Sequence, residues 1–83
     1  MPRPKSKAIV ALDRKLIELT PEPFDVVSAR IINDGWSFKA EIVFTDGQIE
    51  KVYIFDLYGN DESDMNHLAV VAIRKLLVDF QPQ

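Results

Sequence analysis

Thr45-Asp46-Gly47-Gln48, set between Phe38-Lys39-Ala40-Glu41-Ile42-Val43-Phe44 and Ile49-Glu50-Lys51-Val52-Tyr53-Ile54-Phe55, decides the fold. An Asp-Gly pair between two alternating runs predicts a hairpin closed by a two-residue type I′ turn. Counting outward from Asp46-Gly47, Phe44 faces Ile49, Ile42 faces Lys51, Ala40 faces Tyr53, Phe38 faces Phe55 and Trp36 faces Leu57. Nine of these ten residues are apolar and they share one side of the hairpin. The other side pairs Thr45 with Gln48, Val43 with Glu50, Glu41 with Val52, Lys39 with Ile54 and Ser37 with Asp56. One turn thus predicts strands over 36–45 and 48–57, a core face and a solvent face.

Upstream, Phe24 to Ile32 is rich in β-branched residues and reads as a first strand. Two connections fit Asn33-Asp34-Gly35. A two-residue turn puts Val27, Ala29 and Ile31 on the core side, whereas a three-residue loop bulged at Gly35 puts Phe24, Val26, Ser28, Arg30 and Ile32 there. The first is preferred, because it keeps the Arg30 charge out of the core.

Helices flank the strands. Ile9, Leu12, Leu16 and Leu19 recur at helical spacing after a capping Ser6, and Thr20-Pro21-Glu22-Pro23 ends that run. Met65, Leu68, Ala69, Ala72, Ile73, Leu76 and Phe80 line one face of a longer helix, which starts in the acidic stretch Asp61-Glu62-Ser63-Asp64 with Asn60, Asp61 or Ser63 as its cap. Asp79, in the last turn, goes against the helix dipole. The expected fold is an α+β two-layer sandwich: helix, three-stranded antiparallel meander, helix (αβββα), with both helices on one sheet face. Residues 1–6 read as a flexible basic tail and 7–83 as a single domain.

Composition narrows function by exclusion. The 83 residues are 47% hydrophobic and 28% charged and contain no cysteine, so thiolate and disulfide chemistry are absent. No run of residues approaches a membrane span or a signal-peptide core, and a cytoplasmic protein is expected. The single histidine, His67, lies outside the main helical stripe, and the three glycines sit in turns, so neither a nucleophile–base pair nor a phosphate loop is legible. Asp56, Asn60, Asp61, Glu62 and Asp64 cluster around one loop, but their order relative to Gly59 does not fit a calcium loop, and helix capping accounts for them. No catalytic residue, cofactor or metal site is expected.

The net charge of −3 divides unevenly. Residues 1–20 carry five basic and two acidic side chains, while 21–83 carry five basic and eleven acidic ones. The helix–three strands–helix order is similar to that of double-stranded RNA-binding domains, a resemblance in element order over most of the chain. That resemblance implies RNA contacts from the first helix, the first inter-strand loop and a lysine-rich start to the last helix. Here those last two places hold Asn33-Asp34-Gly35 and Asp61-Glu62-Ser63-Asp64, without the motif. The second reading is therefore a weak nucleic-acid binder acting through Arg3, Lys5, Lys7, Arg14 and Lys15.

The first reading is a small non-catalytic interaction protein. Its partner is another protein, basic or itself nucleic-acid-binding, or a second copy of the chain. Val43, Val52 and Ile54, joined by Val26 and Ile32, lie on the side of the sheet assigned to solvent, framed by Arg30, Lys39, Glu41 and Glu50. The last helix carries Val70, Val71, Leu77 and Val78 outside its main stripe. Asp56, Asp61, Glu62 and Asp64 supply an acidic rim beside Tyr58. In a meander the first and third strands are edges open to strand addition.

Overall fold

Two helices cover one face of a three-stranded antiparallel sheet, in the chain order expected: α1 (Lys7–Leu19), β1 (Asp25–Asn33), β2 (Phe38–Thr45), β3 (Glu50–Asp56) and α2 (Glu62–Asp79). The computed structural model describes residues 6–33, 35–59 and 61–80. Ser6, the last residue of the expected tail, caps α1: its hydroxyl accepts from the Ile9 N–H at 3.2 Å. The rest of that tail lies outside the described residues.

The β2–β3 hairpin is closed by four residues rather than two, and the β1–β2 ladder ends at Asn33↔Phe38, a register that neither the two-residue turn nor the three-residue loop gives. The β2–β3 ladder ends at Thr45↔Glu50, leaving Asp46–Ile49 as the connection. A type I′ turn needs positive φ at both central residues. Among the described residues only glycines have it, Gly47 at +97° and Gly35 at +95°. The Asp46 carboxylate instead accepts from the Gln48 and Ile49 N–H groups at 2.9 and 3.0 Å, and the Thr45 hydroxyl donates to the Ile49 carbonyl at 2.8 Å. Asp46 thus builds an Asx turn, and the Ile49 and Gln48 amides hold its carboxyl below the ordinary value.

The longer connection slides every pair by two places, so that Ala40 faces Phe55, Ile42 faces Tyr53 and Phe44 faces Lys51. A slip of two preserves the face of each side chain. Ala40, Ile42, Phe44 and Tyr53 are therefore buried as expected. The residues at the ends are corrected. Trp36, assigned to the core, stands 97% exposed in the 34–37 connection, and Phe38 and Ile49 are also exposed.

In β1 a bulge reconciles the two sequence registers. Ser28 to Asn33 run in one register with β2, Asp25 and Val26 in another, and Val27 is the extra residue between them. Ala29 and Ile31 thereby face the helices, as the two-residue reading requires, while Phe24 and Val26 also reach the core, as the alternative requires. Val27 is the correction: it is half exposed. Arg30 stays outside and pairs with Glu41 at 2.7 Å.

Leu12, Leu16, Met65 and Leu76 are fully buried where α1 and α2 pack together over Ile42 and Phe44. Asp61 caps α2 in a reciprocal box. Its carboxylate accepts from the Asp64 N–H at 2.8 Å and its own N–H donates to the Asp64 carboxylate at 3.4 Å. Gly59 sits against that box, where an added Cβ would collide with the Asp64 carboxylate. Leu12→Ala is expected to lose about 2–5 kcal/mol of stability and Asp61→Ala about 1 kcal/mol, both read from urea unfolding midpoints. If Asp61→Ala matched Leu12→Ala in cost, the cap would be holding more than the first turn of α2.

Candidate functional site

Because both helices lie on one side, the other side of the sheet has no covering layer among the described residues. Its rows follow from the register: Ser28, Val43 and Val52; Arg30, Glu41 and Ile54; Ile32, Lys39 and Asp56. Val52 and Ile54 are each 55% exposed. Val43 was expected to lie open beside them, and the structure corrects this. It is only 8% exposed, although it belongs to no part of the core cluster, because its place in the central strand lets both neighbouring strands shield it. Two ion pairs frame the face, Arg30 with Glu41 at 2.7 Å and Lys39 with Asp56 at 3.7 Å.

Asp56 also belongs to a second place. With Tyr58, Asp64, His67 and Val71 it lines a cleft of about 360 Å³ between the end of β3 and the first turns of α2. Tyr58, 95% exposed, forms the ridge between this cleft and a groove of about 630 Å³ that includes Lys7, Ile31, Phe38 and Leu57. Asp61 and Glu62 are exposed at the adjoining helix start. The apolar and acidic residues singled out in the sequence therefore fall into three groups. Val43, Val52, Ile54 and Asp56 share the open sheet face. Tyr58, Asp61, Glu62, Asp64 and Val71 gather at one end of the molecule. Val70, half-buried, and Val78, exposed, stand on α2 in the opposite layer.

The basic residues are placed differently. Lys7, Arg14 and Lys15 line one depression of about 370 Å³ between the helices, but Glu18 and Glu62 share it, and Lys15 pairs with Glu18 at 3.5 Å. Arg3 and Lys5 lie outside the described residues. Sequence reasoning missed Ile17 and Val10, exposed on α1 around a shallow depression with Asp13 and Arg14. Their seven-residue separation off the main stripe was the available signal.

Among the described residues no group of three or more His, Cys, Asp or Glu side chains is placed to hold a metal ion. No helix among them is long and apolar enough to cross a membrane. Among the described residues the most strongly shifted group is structural. Tyr53 is buried under α2, and its hydroxyl donates to Asp79 Oδ2 at 2.6 Å. Burial first, then the Asp79 carboxylate, push its pKa up to about 12. No protein-family pattern, curated protein or solved structure matches this chain.

Tyr53→Phe is expected to cost about 1–2 kcal/mol, the net worth of a partly shielded bond to a charged acceptor. The raised pKa fixes the sign with pH. The stabilisation is complete below pH 10, the ordinary tyrosine value, and fades as pH rises towards 12. Urea midpoints should therefore fall more steeply over that window in the wild type than in Tyr53→Phe, and parallel curves would remove Tyr53 from the account.

Proposed function

We propose that this protein is a small non-catalytic interaction module that meets a protein partner through the uncovered face of its sheet. The observation that carries this reading is the exposure of Val52 and Ile54 over half their surface, on a sheet whose other face is sealed by two helices. Apolar surface concentrated in this way gains most when a partner removes it from water. The framing charges set the partner's chemistry. Arg30 and Lys39 already have carboxylates beside them on the face, whereas Asp25 and Glu50 add negative charge at its far end and Asp61, Glu62 and Asp64 add more beyond Asp56. An apolar centre ringed by excess negative charge suits a partner with a basic rim, a nucleic-acid-binding protein among them.

Val52→Lys places a charge among the exposed aliphatic side chains of the face without entering the core. Affinity capture from extracts of the source cell with wild type should retain a specific protein that Val52→Lys loses, while the far-ultraviolet circular dichroism of the two stays alike. Val78→Lys, in the opposite layer, is the control expected to retain the same protein. Equal capture by wild type and Val52→Lys would move the contact surface elsewhere. In a gel-shift titration with duplex RNA and duplex DNA, no retardation is expected even at low salt, where binding through basic residues is strongest. A salt-sensitive shift would restore the reading based on Arg3, Lys5, Lys7, Arg14 and Lys15.

A further inference from the structure

The sheet has two edges, β1 and β3, and they are guarded unequally. The bulge at Val26–Ser28 breaks the β1 ladder, and bulges blunt an edge against further pairing. The β3 register, in contrast, runs unbroken from Glu50 to Asp56 and contains neither proline nor glycine. Its phase is fixed by the Leu57 N–H, which donates to the Phe38 carbonyl at 3.0 Å. Residues alternate in the direction of their backbone groups, so Lys51, Tyr53 and Phe55 turn theirs to β2, and Glu50, Val52 and Ile54 turn theirs outward. The residues with outward backbone groups include the two exposed apolar side chains, Val52 and Ile54.

We propose that the β3 edge pairs with β3 of a second copy, antiparallel about a two-fold axis at Val52, to give a continuous six-stranded sheet. Charge selects the register. A two-fold at Lys51 sets that lysine against its own copy, and one at Tyr53 sets Glu50 against Asp56. A two-fold at Ile54 opposes no like charges but sets Asp56 against Val52 and Lys51 against Leu57. With the axis at Val52 the facing pairs are Val52 with Val52 and, each twice, Lys51 with Tyr53, Glu50 with Ile54, Ile49 with Phe55 and Gln48 with Asp56, so that of the charged residues only Glu50 faces an aliphatic side chain. The bulged β1 edges lie at the outer ends of the joined sheet, so the assembly closes as a dimer instead of growing. This inference goes beyond the preceding reading and is separable from it, since a monomer would leave the open face available to a different protein.

Sedimentation equilibrium on the full chain, from micromolar to near-millimolar concentration, should show a concentration-dependent rise to twice the chain mass. Cysteine trapping tests the register, because the chain has no cysteine of its own. Val52→Cys should form an intermolecular disulfide under mild oxidation. Ile54→Cys, at an equally exposed site, should form far less, because the axis at Val52 holds the two copies of residue 54 about 13 Å apart along the strands. A monomer at every concentration, or equal cross-linking at both positions, overturns the proposal. If Val52→Cys fails to fold, the wild-type sedimentation result decides alone.

Discussion

Side chains leave a strand alternately on two sides, and here only one side has helices to cover it. That constraint governs every strand. In β2 the buried Ala40, Ile42 and Phe44 alternate with Lys39, Glu41 and Val43, and in β3 Tyr53 and Phe55 alternate with Val52 and Ile54. In β1 the alternation alone does not suffice, because Phe24 and Val26 are out of phase with Ala29 and Ile31. The bulge supplies the one extra residue that brings both pairs under the helices, and Val27 is left half exposed as a result. The cost of exposing one valine is small beside that of turning two core residues outward or Arg30 inward.

The long helix is held over this sheet at both ends by unlike means. At its start, the Asp61–Asp64 box satisfies backbone donors that have no partner within the helix. At its end, the Asp79 carboxylate lies at the negative pole of the dipole, where a cation would be favoured. The structure accounts for this position: Asp79 accepts the Tyr53 hydroxyl from the sheet below, across 26 residues of chain. Phe80 follows at once, with its ring centroid 4.8 Å from that of Phe24 and 5.8 Å from the Lys51 ammonium. A charge that is locally unfavourable is retained at a long-range tie between the two layers.

The element order, the core face and the Ser6 cap of α1 were legible in the sequence, because each follows from periodicity or from a local hydrogen bond, while the cap of α2 was narrowed to Asn60, Asp61 or Ser63 and is Asp61. The turn lengths were not. Asp46-Gly47 satisfies a type I′ pattern on paper, but Thr45 and Asp46 also carry side chains able to bond the backbone of the next few residues. Those bonds win, and the connection takes two more residues. The faces survived this error because two is an even number of places. The ends of the strands did not survive it, so Trp36 and Phe38 were assigned to a core they only border. Val43 was misjudged for another reason. Alternation tells which face a residue occupies, but the shielding given by cross-strand neighbours depends on which strand is central. For the candidate site, periodicity placed Val52 and Ile54 on the uncovered face, while the cleft joining Asp56, Tyr58, Asp64 and Val71 required the chain to turn back at Gly59.

β-Branched residues suit strands whether or not anything binds them, so an exposed valine alone carries little information. Its position in this sheet carries more. On the open face, β1 offers Ser28, Arg30 and the partly covered Ile32, β2 offers the shielded Val43 between Glu41 and Thr45, and β3 offers Val52 and Ile54, each exposed over half its surface. The two most exposed of these side chains thus lie on the strand whose edge is regular, opposite the strand whose edge is bulged. A bulge interrupts the backbone ladder of β1, whereas the register of β3 runs unbroken, so the two edges of this sheet present their backbone groups differently.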